Sequence, residues 1–233
     1  KFITIGGAIA SDVHGKNHHI EGTFCDHIIS FDLMLTDGRV ICCSKKENSE
    51  IFHATCGGNG LTGIILNATF TLKRIETAYI KQKSIKAANI DELVKLLEEN
   101  ESYTYSVAWI DCVATGKKTG RGILLLGEHA LVSDLNKKQA KAPLLLKNKK
   151  LLNVPFFFPG FALNKISIKM FNFLYYNKSK RGIRESVIDY NTFFYPLDSV
   201  NNWNRIYGKR GFTQYQFVVP KSVGTKGVRD IVQ

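Results

Sequence analysis

Alternating apolar and polar residues divide the first third of the chain into short strands joined by turns. Residues 2–5 form an apolar, β-branched run that predicts a strand, and the small residues 8–10 predict a short helical turn behind it. The runs 27–35 and 40–43 flank an Asp-Gly pair, which is a hairpin signal. This region is therefore expected to contain an antiparallel pair of strands.

A helix and a longer strand complete the region. Residues 48–55 have the pattern of a short helix that begins with a polar cap, and residues 64–72 predict another strand. Because this stretch is poor in helix and lacks a regular strand–helix repeat, it predicts an α+β fold rather than a βαβ array.

The pattern changes in the next part of the chain. Residues 79–85 alternate like a strand, and Asn89 has the position of an N-cap for a helix over 90–100. Two further strands are predicted at 103–112 and 122–127. A strand, a helix and two strands in this order predict an antiparallel sheet with a helix on one side.

A domain boundary is predicted near residue 77, which gives one domain over 1–77 and a second over 78–233. Within the second domain, residues 134–185 mix runs of lysine with bulky apolar and aromatic side chains. Such a mixture suits a surface that meets lipid phosphate and an acyl or isoprenoid chain. It also suits a long cap loop whose aromatic side chains fold onto the core.

The net charge of the chain limits the kinds of binding partner that are expected. Lys and Arg total 32 and Asp and Glu total 20 among 233 residues, which gives a net charge of +12. This balance suits nucleic acid, an anionic membrane surface or a phosphorylated substrate, and equally a solvated basic surface. The sequence has no RNA-binding aromatic motif, zinc finger or basic helix, so nucleic acid is not expected as a partner.

The spacing of the cysteines and the hydropathy of the chain indicate the cellular compartment of the protein. Five cysteines without a Cys-x-x-Cys spacing predict reduced, mostly buried thiols rather than a disulfide framework. No apolar run approaches the length of a membrane span, and no signal peptide is visible. These features predict a protein that is cytoplasmic or peripheral to a membrane.

Two glycine-rich clusters carry the candidate chemistry. The first, residues 6–19, joins a Gly-Gly pair to small residues, an Asp, three His and a Lys; the second, residues 57–63, contains four glycines. Small residues let the backbone approach a ligand closely, and free N–H groups bind phosphate. A tight turn uses the same residue types, and neither the GxGxxG nor the P-loop pattern occurs. We interpret the two clusters as lying along an elongated dinucleotide.

The three histidines of the first cluster are candidate metal ligands. The spacing of Asp12, His14, His18 and His19 lacks a tetrahedral ligand pattern, and Gly15 interrupts a helical i, i+4 arrangement. No metal is therefore expected.

Longer motifs carry a family resemblance. The string GGAIASDVHGKNHHIEGTFCDHI, the segment GGNGLTGIIL and the later strings YTYSVAWIDC, FFYPLDSVNNWNRIYGKRGF and TQYQFVVP follow one another along nearly the whole chain. Together they resemble the flavin oxidoreductases of the vanillyl-alcohol oxidase superfamily, which have a p-cresol methylhydroxylase-type (PCMH-type) FAD-binding domain. The resemblance implies an α+β chain: the second half of a PCMH-type FAD-binding domain, followed by an incomplete antiparallel-sheet substrate-binding (cap) domain.

The resemblance also implies a cofactor and an activity. FAD would accept a hydride from a sugar carbon that bears a hydroxyl, which leaves a ketone. The most similar branch oxidises the 2′-hydroxyl of a polyprenyl-phosphate-linked pentose in cell-wall arabinan synthesis, with noncovalent FAD and an NAD-dependent reductase as partner. In that branch the segment corresponding to 134–185 is a mobile lid. An aldonolactone or alditol oxidase, or a noncatalytic module that binds an anionic membrane, are the alternatives.

The family resemblance assigns site residues position by position along the chain. The cofactor-binding positions, taken from the resemblance and from the second glycine cluster, are Thr4, Ile5, Gly6, Gly7, Ser11, Asp12, Val13, His14, Gly58 and Ile65. The implied substrate-binding positions are Gly15, Lys16, Trp109, Phe194, Leu197, Gln214 and Gln216. The segment that contains Gln214 and Gln216 also predicts a strand, on which these two side chains face the same side. His14 and Lys16 are assigned positioning and electrostatic roles beside the flavin ring, with the main base outside this chain.

Two positions depart from the family pattern, and the ends of the chain carry a further expectation. Phe194 stands where the family has a Tyr, and Val107 where it has a Ser.

Because the chain starts on a predicted strand without Met and ends as a helix begins, we expect a fragment cut at both ends. By the resemblance, the missing front carries the pyrophosphate loop, and the missing back an active-site Lys, a Cys and a closing FAD segment.

Overall fold

The computed structural model describes residues 3–146, 152–179 and 182–232, and it separates into two compact units, Lys1–Ile75 and Glu76–Gln233. The elements of the first unit are α1 (Ile5–Ala10), α2 (His18–Glu21), β1 (Ile28–Met34), β2 (Val40–Ser44), α3 (Ser49–Thr55) and β3 (Ile64–Phe70). Those of the second unit are β4 (Tyr79–Ala87), α4 (Ile90–Glu99), β5 (Tyr105–Ile110), β6 (Gly122–His129), α5 (Lys137–Ala140), β7 (Leu152–Asn153), α6 (Lys165–Lys178), β8 (Ile183–Asp189), α7 (Tyr190–Phe194), β9 (Val200–Asn201) and α8 (Gly224–Val232). The division lies two residues before the boundary that the sequence pattern suggested.

The first unit is built on a three-stranded antiparallel sheet in the order β2-β1-β3. The predicted hairpin is confirmed: the Leu35 N–H donates to the Arg39 carbonyl at 2.8 Å, and Gly38 has a φ of +85°, which favours glycine. Phe31 and Phe52 are buried above the sheet and stack with ring centroids 5.2 Å apart. Burial of side chains this large stabilises the fold by roughly 1.5–3 kcal/mol each.

The predicted strand at residues 2–5 is wrong over the described residues. The Gly7 N–H donates to Thr4 Oγ1 at 3.1 Å, so Thr4 caps α1, and Ile5 is already helical. A capped helix satisfies its N–H groups locally and buries Ile9 completely, whereas a strand needs a neighbour along its edge. Ile3 and Ile5, whose apolar side chains suggested the strand, are exposed.

The cysteines match their prediction in part. All five are free; Cys25 and Cys43 are buried, whereas Cys42 and Cys112 are exposed. The cysteines of the first unit therefore contribute mainly as small apolar groups where they face the core.

The second unit contains a four-stranded sheet in the order β5-β6-β4-β8, in which each neighbouring pair is antiparallel. Helix α4 packs on one face, with Leu93 against Leu124 and Leu126. Asn89 Oδ1 accepts the N–H of Glu92 at 3.0 Å, which confirms the predicted N-cap. The antiparallel sheet with a helix on one side is thus present.

The opposite face of this sheet carries two other helices. Because side chains alternate along a strand, Tyr105 and Trp109 lie on the face away from α4. Tyr175 of α6 packs on Trp109 with ring centroids 4.8 Å apart, and Phe193 of α7 packs on Tyr105 at 6.2 Å. The two helices therefore cover different ends of the face.

Residues 134–185 contain regular structure in their described part. They include α5, the short strand β7, the 14-residue helix α6 and the start of β8. Residues 147–151 and 180–181 of the predicted lid lie outside the described residues. The mobility of the lid stays a prediction.

A second strand prediction is wrong. Residues 213–220 were expected to form a strand that places Gln214 and Gln216 on one side, but the structure has no regular element there, and both side chains are exposed. An apolar alternation becomes a strand only where a neighbouring strand accepts its hydrogen bonds. Within the described residues, no strand pairs with this segment.

Candidate functional site

The two glycine clusters meet within the first unit. The Gly57 N–H donates to the Ile9 carbonyl at 3.0 Å, and the Asn59 N–H donates to the Ala10 carbonyl at 2.8 Å. These bonds attach the second cluster to the C-terminal end of α1. The clusters, about forty residues apart in the sequence, therefore form one continuous stretch of small-residue backbone.

The glycines of the second cluster are explained by the fold itself. A Cβ on Gly58 would lie 2.1 Å from the Ala54 carbonyl oxygen, so the chain passes the end of α3 too closely for any side chain. Gly57 and Gly60 have φ angles of +74° and +76°, which favour glycine. These residues turn the chain and hold it against α1.

Gly6 has no such explanation. It lies in α1, its φ is ordinary, and a Cβ placed on it would meet, among the described residues, no atom within 4 Å beyond its own turn of helix. Glycine costs about 1 kcal/mol relative to alanine within a helix, so the protein fold alone would favour alanine here. A ligand that approaches the backbone closely gives a reason for glycine, and the space beside Gly6 fits the cradle that the cofactor assignment requires.

The loop after α1 is held by its own hydrogen bonds. Asp12 has a φ of +40°, and its Oδ1 accepts the Cys25 N–H at 3.0 Å. The Phe24 N–H donates to the Val13 carbonyl at 2.9 Å. One Asp12 carboxylate oxygen is therefore used to fix the loop.

His14 and Lys16 follow on this loop. His14 forms a β-bridge with Thr23, and its ring lies 5.4 Å from that of His18, whose Nδ1 is 3.0 Å from the Gly15 carbonyl oxygen. Lys16 is half-buried, and this burial lowers the pKa of its ammonium group because it loses water around the charge. A desolvated cation of this kind gains most from a nearby anionic or strongly polar ligand group.

Helix α2 is anchored below these residues by Glu21. Its two carboxylate oxygens accept hydrogen bonds from Asn17 Nδ2 and Lys73 Nζ, each at 2.5 Å. Burial raises the pKa of Glu21, but the hydrogen bonds and the positive charge of Lys73 outweigh it, and the net pKa is below the usual value. Within the described residues, no group of three or more His, Cys, Asp or Glu side chains is placed to hold a metal ion.

Five of the seven substrate assignments fall in the second unit, whereas Gly15 and Lys16 lie in the first. Trp109 and Phe194 lie on the face of the sheet away from α4: Trp109 contacts Tyr175, and the Phe194 ring is 4.9 Å from Tyr105. Val107 lies between Tyr105 and Trp109 on the same strand face and is half-buried. This face therefore presents aromatic groups at both ends and a smaller apolar side chain between them.

The structure does not bring the remaining substrate positions to this face. Leu197 lies on a 3-10 helix over Pro196–Ser199 and is 60% exposed. Gln214 and Gln216 lie in the irregular stretch described above. Ile65, assigned to the cofactor, is half-buried on β3 against the core of the first unit.

Sequence reasoning missed a pair beside Phe194. The Tyr105 hydroxyl is 3.1 Å from His129 Nε2, and the His129 ring lies 6.4 Å from that of Phe194. The two residues are on neighbouring strands β5 and β6. Alternation along each strand indicates their faces, but the register that pairs them depends on the folded sheet.

Comparison with known proteins shows what the chain is similar to. Residues 1–44 match the family described as FAD binding domain. Over 221 residues the chain is 40% identical to the decaprenylphosphoryl-beta-D-ribose oxidase of Mycolicibacterium smegmatis, a match that covers 94% of this chain and 48% of that protein. The chain is therefore similar to an FAD-binding family over residues 1–44 and to an oxidase over most of its length.

Two lactone oxidases share part of this similarity. The L-gulonolactone oxidase of Mus musculus is 30% identical over 108 residues, which cover 44% of this chain and 23% of that protein. The D-arabinono-1,4-lactone oxidase of Debaryomyces hansenii is 28% identical over 108 residues, covering 46% of this chain and 17% of that protein. The chain thus spans about half the length of the mycobacterial relative and less of the others. The predicted resemblance to flavin oxidoreductases and the predicted FAD cofactor are confirmed by these similarities.

Proposed function

We propose that the protein oxidises a sugar hydroxyl to a ketone, and that its substrate is the 2′-hydroxyl of a polyprenyl-phosphate-linked pentose. The proposed FAD site is supported by one observation. The two glycine clusters form a small-residue backbone in which Gly6 is open to a ligand. The identity of 40% over 94% of the chain to an oxidase of decaprenylphosphoryl ribose supports the substrate.

The cofactor side uses the backbone of α1 and the following loop. The proposed contacts are Thr4, Ile5, Gly6, Gly7, Ser11, Asp12, Val13, His14, Gly58 and Ile65. When bound there, FAD supplies the hydride-accepting ring. For Asp12 the contact is assigned to the backbone, because one carboxylate oxygen already accepts the Cys25 N–H.

His14 and Lys16 position and polarise the substrate in this proposal. The half-buried ammonium of Lys16 is a fixed positive charge that stabilises negative charge developing on the sugar oxygen as its proton leaves. His14 is held beside it by the bridge to Thr23 and by its contact with the His18 ring. The main base is assigned to a residue outside this chain.

The substrate side uses groups that suit a sugar with a lipid tail. Trp109 and Phe194 supply aromatic faces that pack on the sugar and the isoprenoid, Leu197 adds apolar surface, and Gln214 and Gln216 supply amides for hydroxyl groups. Gly15 allows close approach beside Lys16. A ketone made in this way is the intermediate of an epimerisation, so an NAD-dependent reductase is proposed as partner.

The test compares two glycines in open space. In the intact protein, Gly6→Ala is expected to weaken FAD binding at least tenfold and so to lower FAD occupancy at limiting FAD, because a new methyl group takes the space of the cofactor, and ~1.4 kcal/mol of lost affinity is a factor of ten. Occupancy is measured by the flavin absorbance per protein. Gly160→Ala is the matched control, since its Cβ also meets nothing within 4 Å but it lies in the second unit.

Substrate addition then separates the candidate functions. Bleaching of the flavin by polyprenylphosphoryl ribose, and not by L-gulonolactone, supports the proposal. Bleaching by the lactone alone would favour a lactone oxidase, which the similarity to two lactone oxidases makes the second candidate. A colourless intact protein would favour the noncatalytic membrane-binding module.

A further inference from the structure

Helix α6 turns a polar side toward the protein. Asn172 is buried, and its Nδ2 donates to Asp111 Oδ1 at 2.7 Å. One turn later the Tyr176 hydroxyl donates to the Ala87 carbonyl at 3.0 Å. These bonds to β4 and to the end of β5 fix the rotation of the helix about its axis.

The opposite side of α6 is apolar. We call Ile166, Met170, Phe173 and Leu174 its outer face; they recur at helical spacing and form one stripe. Their exposed fractions are 81%, 62%, 57% and 60%. The side of α6 that packs on the protein thus combines polar groups with Tyr175 on Trp109, while its outer face is apolar and exposed. A large exposed apolar patch marks an interaction surface, because it is costly in water.

A positively charged cleft adjoins this outer face. It has a volume of about 500 Å³ and is lined by Met170 and Phe173 together with Lys118, Lys169 and Arg121. Arg121 is paired with Asp111 at 2.8 Å. Within the described part of the chain, Lys118 and Lys169 form no ion pair, so the cleft keeps a positive charge beside apolar side chains.

The charge of the surrounding segment indicates the kind of partner. Residues 135–184 contain ten Lys, two Arg and no Asp or Glu. A second copy of the chain would bring the same positive charge to the contact and would be repelled. An anionic phospholipid surface matches both the lysines and the apolar stripe.

We propose that α6 docks the protein onto an anionic phospholipid bilayer. The helix, about 21 Å long at 1.5 Å per residue, lies in the plane of the interface with its outer face among the upper acyl chains. Lys118 and Lys169 bind lipid phosphate groups in the cleft. The proposal is independent of the sugar oxidation, since none of these residues is assigned to the flavin or the sugar.

Vesicle binding of the intact, flavin-loaded protein tests the proposal. Sedimentation is measured with phosphatidylcholine vesicles and with vesicles that also contain phosphatidylglycerol. Binding is expected only to the anionic vesicles. Lys118→Gln/Lys169→Gln is expected to weaken it on the order of tenfold or more, since each lysine near an anionic surface contributes several-fold. Met170→Ser/Phe173→Ser is expected to weaken it to a similar extent.

Matched controls carry the same chemical changes elsewhere in the second unit. Lys95→Gln/Lys226→Gln removes two charges from α4 and α8, which pack on the other face of the sheet. Leu131→Ser/Val132→Ser removes two exposed apolar groups beyond the far end of β6. Both controls are expected to bind like the wild type, and flavin content checks that every variant is folded.

Hydrogen exchange supplies a second readout. Anionic vesicles are expected to slow exchange across α6 and to leave α4 unchanged. Equal binding by the α6 variants and the controls would overturn the proposal. So would strong protection of α6 without vesicles, which would mean that another part of the protein covers it, or a dimer in solution that Met170→Ser/Phe173→Ser converts to monomer.

Discussion

Gly6 and Gly58 each belong to a Gly-Gly pair in a small-residue cluster, yet their surroundings differ. A Cβ added to Gly58 would lie 2.1 Å from the Ala54 carbonyl oxygen, whereas a Cβ added to Gly6 would point into open space. The sequence shows the same residue type at both positions, because the contact with Ala54 exists only after α3 has formed. Sequence reasoning therefore found both clusters, but it could not show that close packing already explains Gly58 and leaves Gly6 unexplained.

Glu21 is expected to make stability depend on pH. Its pKa in the folded protein is lowered from 4.5, so its contribution is complete above that value and is lost as pH falls through the folded pKa. Glu21→Gln should therefore lower the melting temperature at pH 7, with a difference from wild type that shrinks in acid. Thermal unfolding across pH checks this, and Asp37→Asn is the control because its partner Arg39 lies on an exposed turn. A difference that stays constant from pH 7 to acid would contradict the role of Glu21.

The elements that were predicted well have a clear local sequence pattern and also a neighbouring element that satisfies their hydrogen bonds or packing. The hairpin of β1 and β2, the helix α4 with its Asn89 cap, and strands β4 to β6 have clear sequence periods and satisfied hydrogen bonds. Residues 3–5 and 213–220 have strand-like composition but lack a strand neighbour among the described residues. Helix α6 was not predicted, since its apolar residues face outward and its anchor, Asn172 on Asp111, joins residues 61 apart.

The anchor of α6 gives a prediction at the scale of one element. Asp111 is buried and pairs with Arg121, which is itself largely buried. Asp111→Ala should cost about 3–5 kcal/mol of unfolding free energy, because it leaves the Arg121 charge unpaired. It should also speed hydrogen exchange of α6. Arg121→Met added to Asp111→Ala removes the unpaired charge and should recover part of the stability, while α6 stays loosened. Failure of the double variant to recover any stability would show that the ion pair is not the source of the loss.

At the scale of the whole molecule, the proposed cofactor positions and two of the proposed substrate positions belong to different compact units. The flavin positions lie within Lys1–Ile75, and Trp109 and Phe194 lie within Glu76–Gln233. The resemblance to flavin oxidoreductases rests on motifs in both units. The pairings across the sheet, such as Tyr105 with His129, were not predictable, since register is set by the folded core.

Removal of FAD is expected to destabilise the intact protein and to do so unevenly. A ligand that binds only the folded state stabilises it by about 2.7 kcal/mol when its concentration is a hundred times the dissociation constant. Because the proposed contacts lie on α1, the following loop and the second glycine cluster, FAD should slow hydrogen exchange there. Exchange in strands β4 to β6 should change much less. Gly6→Ala should abolish the stabilisation by added FAD, while Gly160→Ala should keep it. Equal stabilisation of both variants, or protection confined to the second unit, would place the flavin elsewhere and remove the basis for assigning α1 to the cofactor.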